Sequence, residues 1–159
     1  MNFDINFDFQ RRDRLGLIEA IWGQDKSVDQ LERLCGNVLS KNEVVFITRI
    51  NSEKANYLLD LYDDARFHEE ANCLTIGKNF NKIITNKKVA IISGGSSDLA
   101  VTLEAQLALE IYGVNCQSFI DVGVAGLHRL MSQLEEINKY DVLIAVSYTH
   151  LTLPTIREV

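Results

Sequence analysis

Proline is almost missing from this chain. The 159 residues hold one, Pro154, close to the C-terminus. Folded proteins average about 5% proline, so the tail stands apart in composition from the body before it. Cysteine is scarce too: Cys35, Cys73 and Cys116 are odd in number and far apart, with no Cys-x-x-Cys or Cys/His metal spacing. That pattern excludes a disulfide framework and a zinc-ribbon type of site. It points to a reduced, cytoplasmic protein with buried thiols. Long apolar runs are absent. Stretches such as Val142 to Val146 fall far short of the ~20 residues that span a bilayer, so no membrane association is expected. The N-terminus carries Asp4, Asp8, Arg11 and Arg12, which is not a signal peptide. Basic charge is in deficit. Lys+Arg is 16 against 22 for Asp+Glu, giving a net charge of −6 and a pI near 5.0. This argues against nucleic acid as a partner, because non-specific binding to its backbone needs clustered Lys and Arg. A phosphorylated small molecule stays compatible, since a local site can be positive on an acidic protein.

What is present is an ordinary globular mixture, 47% apolar and 24% charged. It is enough for one domain, or one domain with a small appendage. The first forty residues read as helical. Gly16 to Trp22 reads as a short amphipathic helical turn or two, closed by Gly23. Ser27 and Gln30 have capping-box spacing, and Val28, Leu31, Leu34, Cys35 and Val38 recur at helical intervals. A helix is therefore expected from about Val28 to Leu39. Val44 to Ile50 is β-branched and aromatic, hence a strand. Asn51 or Ser52 caps a further helix through Tyr62. Asp63 to Glu70 is charged and aperiodic, and reads as a solvated loop or helix end. A strand is expected around Cys73 to Ile76. Trp22 and Phe46 are assigned to the core.

From Asn86 onward the pattern becomes strand–helix–strand–helix–strand. The elements are a strand at Val89 to Ile92, a helix carrying Leu99, Leu103, Leu107 and Ile111 up to Gly113, a strand at Gln117 to Val122, a helix at Leu127 to Ile137, and a strand at Val142 to Val146. The fold class is α/β: a small α/β module over residues 1–86, then a parallel flavodoxin-like sheet with flanking helices over 87–146. Residues 147–159 are treated as a foreign tail.

Ligands of open α/β sheets sit beyond the carboxyl ends of the strands. Two loops fall there. The first is Gly94-Gly95-Ser96-Ser97-Asp98. Its glycines admit a ligand close to the backbone, its serines add hydroxyls, and the following helix start attracts anions. Plain capping of that helix by Ser97 or Asp98 is the competing reading, and spacing alone leaves both open. The second loop is Asp121-Val122-Gly123-Val124-Ala125-Gly126-Leu127-His128-Arg129. His128 is suited by residue type to moving a proton. Arg129 is suited to forking two hydrogen bonds to phosphate or carboxylate. Against this stands an ordinary surface histidine and arginine. Glu104, in the helix after the first loop, is a weaker candidate. Cys116 reads as buried and not nucleophilic.

The two loops together resemble the LarB family. Ile91-Ile92-Ser93-Gly94-Gly95-Ser96-Ser97-Asp98-Leu99-Ala100-Val101, then Glu104-Ala105, is similar to its "AGTSDLPVAEEA" signature. Asp121 to Leu130 matches its second signature almost letter for letter. Asp8, Arg11, Arg14, Gly16, Glu19, Gly23 and Lys26 reproduce its N-terminal spacing, and Ile47-Thr48-Arg49 its "TR" strand. The resemblance runs from about residue 8 to 146. It implies an enzyme of nickel-pincer nucleotide cofactor biosynthesis. Such enzymes use CO2 or bicarbonate to carboxylate the pyridinium ring of nicotinic acid adenine dinucleotide at C5. They also hydrolyse its phosphoanhydride, giving pyridinium-3,5-biscarboxylate mononucleotide and AMP. It further implies a PurE-like catalytic domain, Mg2+ and a homo-octamer. By that resemblance Gly95, Ser96, Ser97, Asp98, Gly123, Gly126 and Arg129 bind substrate. His128 assists proton transfer, with Asp121 and Glu104 in support. No metal ligands are assigned. The alternatives are an aminoimidazole ribonucleotide carboxylase and a non-catalytic nucleotide-binding module. Leu127, and the lack of Thr-Pro after Arg129, speak against the former.

The family pattern continues past the strand at Val142 with a Gly-rich loop and later a nucleophilic cysteine. Here the sequence reads Ser147-Tyr148-Thr149-His150-Leu151-Thr152-Leu153-Pro154-Thr155, which resembles translated transposon adapter. Residues 147–159 are therefore expected to be read-through on a truncated gene, and the chain as given is expected not to turn over. The alternative is a natural tail whose Thr/Leu alternation makes a strand.

Overall fold

Ser27 and Gln30 close the expected capping box. The Gln30 amide donates to Ser27 Oγ at 3.3 Å, and the Ser27 amide donates to Gln30 Oε1 at 2.9 Å. In this computed structural model, which describes residues 7–8, 10–77 and 85–146, the box starts the helix that organises the first of two compact units. The units fall within residues 1–80 and 81–159.

The first unit runs α1 (Arg11–Leu15), β1 (Ile21–Trp22), α2 (Val28–Leu39), β2 (Val45–Thr48), α3 (Ser52–Leu61), β3 (Ala65–His68) and β4 (Cys73–Ile76). Its sheet has the order β1-β2-β4-β3. β1 pairs with β2 in parallel, and the other two pairings are antiparallel. β1–α2–β2 is thus one βαβ unit. Leu31, Leu34, Cys35 and Val38 of α2 bury against Ala55 and Leu58 of α3, and against Val45, Ile47, Leu74 and Ile76 of the sheet. Asn51 caps α3 by accepting from the Lys54 amide at 3.0 Å.

Three expectations are corrected here. Residues 16–22 do not form a helix. Gly16, at φ +70, follows the end of α1, and Ile21 and Trp22 pair with Ile47 and Thr48 as a strand. Trp22 is not core: it is 46% exposed. Residues 63–70 are not simply a loop. Ala65–His68 is an edge strand on β4, with Ala65 and Phe67 packed on the core and Arg66 exposed. Arginine on an edge strand blunts edge-to-edge pairing, and the charge of this segment conceals its alternation.

The second unit runs β5 (Lys88–Ser93), α4 (Leu99–Ile111), β6 (Asn115–Phe119), α5 (Leu127–Ile137) and β7 (Val142–Val146). All pairings are parallel, in the order β6-β5-β7. Numbered from β5 this is 2-1-3, which opens the flavodoxin-like order 2-1-3-4-5. The expected flavodoxin-like α/β fold with flanking helices is what the chain adopts. Gly113, at φ +65, ends α4 where the sequence places the stop. β6 begins and ends earlier than 117–122, because Val122 leaves the ladder to serve the loop. Ala90, Phe119, Val122 and Ile137 form the core on the α5 side, with Ile92, Leu130 and Tyr140 packed against it. Residues 147–159, the expected read-through, lie outside the described residues.

Asp141 ties the beginnings of β5 and β7. Its carboxylate accepts from Lys87 Nζ at 2.8 Å and from the Lys88 amide at 2.9 Å. The Lys87 bond, then the Lys88 amide, hold its pKa below the ordinary 3.8. A lowered native pKa adds stability at pH values above the unfolded value, and that stability disappears as the pH falls through the native one. Asp141→Asn is therefore expected to lower the midpoint of thermal unfolding near neutral pH. The gap to the parent protein should close as the pH falls below 3.8. Melting curves across pH 2–8 check this, and a gap that persists unchanged in acid would refute it.

Candidate functional site

β5 and β6 are adjacent and parallel, so the loops that follow them leave the same edge of the sheet. Ile92 is opposite Phe119 at the end of the ladder. One hydrogen bond then joins the loops directly: the Val122 amide donates to Ser93 O at 3.0 Å. The two turns singled out in the sequence are side by side.

In the first loop, Ser96–Asp98 is a single 3-10 turn leading into α4. Ser96 and Ser97 are exposed, and Gly94, Gly95 and Asp98 are half-buried. The Asp98 carboxylate turns back to accept from the Gly95 amide at 3.0 Å. It makes no side-chain cap on α4. Thr102 Oγ1, fully buried, donates to Asp98 O at 2.8 Å and anchors the turn. The capping reading of this loop is met in part: the Asp98 bond to the Gly95 amide is one arm of a capping box on the 3-10 turn, and the Leu99 amide that opens α4 donates to Ser96 O. α5 begins without a side-chain cap. Helix starts carry the positive end of the helix dipole.

In the second loop, Asp121 has φ +61. Left-handed backbone costs a non-glycine residue roughly 1–2 kcal/mol. Arg129 Nη1 donates to Asp121 Oδ2 at 2.5 Å, across the turn. Gly126 permits this: a Cβ there would lie 2.6 Å from Arg129 Nε and Nη2. Gly123 and Gly126 are buried, and the Gly126 amide donates to Gly123 O at 3.0 Å. His128 and Arg129 are exposed in the first turn of α5. Glu104 is half-buried in α4, one and a half turns beyond the first loop.

Ser93 was quoted in the sequence motif but given no role. Its side chain is 0% exposed, and Oγ is the one buried side-chain oxygen or nitrogen without a hydrogen-bond partner among the described residues. It stands at the tip of β5, where both loops meet. A buried unpaired hydroxyl costs about 1–3 kcal/mol, and an apolar replacement of similar shape removes that cost. Ser93→Ala is thus expected to leave stability unchanged or raise it by up to about 1 kcal/mol. Urea unfolding measures this. A clear loss of stability would show that the hydroxyl is already satisfied within the fold.

Residues 4–78 match the LarB/PurE-like N-terminal domain. Residues 4–78 are thus a LarB/PurE-like N-terminal domain, a match over just under half of the chain. Over 160 aligned residues the chain is 30% identical to an uncharacterized protein of Methanocaldococcus jannaschii. The alignment takes in 96% of this chain and 62% of that protein, so the chain spans less than two thirds of the relative's length. The LarB/PurE-like domain match ends before β5, whereas the relative's alignment extends over almost the whole chain.

Three further features bear on the chemistry open to this chain. No group of three or more His, Cys, Asp or Glu that could hold a metal occurs among the described residues. Asp98 is engaged by Gly95 and Asp121 by Arg129, so these residues do not fit a protein-built Mg2+ cage. Burial pushes the Cys35 thiol up to about 12 and, more than the nearby Glu110 charge, the Cys116 thiol up to about 11. Both are protonated at neutral pH and poor nucleophiles. No helix of the described residues is long and apolar enough to cross a membrane.

Proposed function

We propose that this chain belongs to an enzyme that carboxylates the pyridinium ring of nicotinic acid adenine dinucleotide at C5 and cleaves its phosphoanhydride. The products are pyridinium-3,5-biscarboxylate mononucleotide and AMP. The observation that carries the reading is the Val122–Ser93 hydrogen bond, which sets two ligand-type loops at one sheet edge. Between them they offer two serine hydroxyls, the starts of two helices and an arginine, which suits a doubly anionic dinucleotide.

In this reading Ser96 and Ser97 hold phosphate, Asp98 the ribose, and Gly95, Gly123 and Gly126 let the backbone approach. Arg129 exchanges Asp121 for phosphate or carboxylate. His128 carries a proton, with Asp121 and Glu104 keeping the surroundings polar. A thiolate that attacks the pyridinium would make C5 nucleophilic toward CO2. That step is not assigned to Cys35 or Cys116, whose thiols are held protonated. The reading also includes a cytoplasmic homo-octamer and Mg2+ brought in with the phosphates. Leu127, Met131 and Leu134 form an exposed apolar stripe on α5 that such an assembly would cover.

The test has two arms. Calorimetry of this chain with nicotinic acid adenine dinucleotide should show saturable binding. The Methanocaldococcus jannaschii relative, incubated with the dinucleotide, bicarbonate and Mg2+, should release AMP and a mononucleotide heavier by one carboxylate. Absence of both products would end the proposal. Turnover of aminoimidazole ribonucleotide instead would move the chain to the purine-pathway reaction.

A further inference from the structure

The carboxyl end of the β1–α2–β2 unit carries a second cluster that the reaction above does not use. β1 and β2 are the parallel pair of their sheet, and the edge beyond such strands is where α/β units bind ligands. Trp22 ends β1 and is 46% exposed. Its indole is nevertheless held in one orientation: Nε1 donates to Asp25 Oδ2 at 3.2 Å, and the Arg49 guanidinium lies 5.6 Å from the ring centroid. Arg49 directly follows β2 and sits in left-handed backbone, at φ +54. Such strain in a non-glycine residue concentrates at functional sites. Lys54, in the first turn of α3, donates to Gly23 O at 3.0 Å and Gln24 O at 2.8 Å. Both acceptors are neutral carbonyls, so these bonds place its charge at the edge without cancelling it. Gly23 is packed so tightly on the tip of β2 that a Cβ would lie 2.9 Å from Ile47 Cγ2 and 3.1 Å from Thr48 O. Of the acids close in sequence, Asp25 accepts from the indole, Glu19 accepts from the Asp8 amide, and Glu53 is exposed on α3.

We propose that Trp22, Arg49 and Lys54 form a second binding site, for a mononucleotide: a planar base against the indole and a phosphate toward Arg49 and Lys54. An aromatic face and two cations are the chemistry that recognises this class. The site lies wholly within the first unit and does not rest on the reading of the Ser93–Val122 loops.

Trp22 is the sole tryptophan of the chain, so its fluorescence reports on this edge alone. AMP titrated into the full chain should quench it saturably, with a midpoint that rises as salt is added. Adenosine and inorganic phosphate, each lacking half of the ligand, should need far higher concentrations. Arg49→Gly is the decisive variant. Glycine relieves the left-handed backbone, so the variant should melt at the same or a higher temperature, yet its AMP midpoint should rise roughly tenfold or more. A purely structural Arg49 gives no such opposition. Arg129→Ala, in the other unit, should leave the AMP curve unchanged. The proposal is overturned if AMP gives no saturable quenching, if Arg49→Gly binds AMP like the parent, if phosphate alone matches AMP, or if Arg129→Ala abolishes the signal.

Discussion

Replacing Arg129 with alanine is expected to weaken binding of nicotinic acid adenine dinucleotide by roughly ten- to a hundredfold while leaving the fold intact. The affinity figure follows from charge-assisted hydrogen bonds to an anion, worth about 1.5–3 kcal/mol. The stability side follows from exposure. The side chains of Arg129 and Asp121 are 43% and 42% exposed, and exposed ion pairs contribute only about 0–1 kcal/mol. Arg129→Lys should fall between the two, because an ammonium keeps the charge and loses the fork. Gly126→Ala tests the geometry from the other side. Its new Cβ would sit 2.6 Å from the guanidinium, so the arginine must leave its place over the turn, and affinity should drop with Arg129 still present. Calorimetry of the three variants checks the series. Unchanged affinity in Arg129→Ala would remove the loops from the substrate's path, whatever the family does elsewhere.

The adjacency of those loops was legible because it needs only two facts that sequence shows well. Apolar strands alternate with periodic helices, and such strands run parallel. α2, β4, α5 and β7 lie where their capping, β-branched or periodic residues put them. What escaped was decided by contacts distant in sequence. β1 is two residues long and exists because Ile21 and Trp22 pair with Ile47 and Thr48; no local pattern separates it from a helical turn. β3 was hidden by Arg66 and its acidic neighbours, which suit an edge and look like a loop. Asp121 in left-handed backbone leaves only a weak signal, since aspartate visits that conformation occasionally where glycine does so routinely. The Asp121–Arg129 pair did leave a trace, in a glycine three residues before the arginine. Trp22, assigned to the core by its residue type, stands exposed at a strand tip, and hydrophobicity alone does not tell a core ring from one held there.

The second large effect concerns the core of the first unit. Leu34→Ala is expected to cost about 2–5 kcal/mol, the range for buried leucine truncations. Leu134→Ala should cost under about 1 kcal/mol, though the chemistry of the change is the same. Leu34 is 1% exposed and packs within the cluster formed by α2, α3 and the sheet. Its removal leaves a cavity that close-packed neighbours cannot fill. Leu134 is 37% exposed on α5, where water takes the vacated space. Trp22 fluorescence follows the first unit, and for a domain of its size each kcal/mol moves the midpoint by roughly 4–8 °C. Leu34→Ala should therefore melt at least ~8 °C lower by this probe, and Leu134→Ala should scarcely move it. The consequence reaches the strand tips, because α2 is the crossover that connects β1 to β2. A loosened α2 relaxes the spacing between Trp22 and Arg49, so Leu34→Ala should also blunt AMP quenching at temperatures below its own melting. Leu34→Ile, which keeps the volume, should retain most of both.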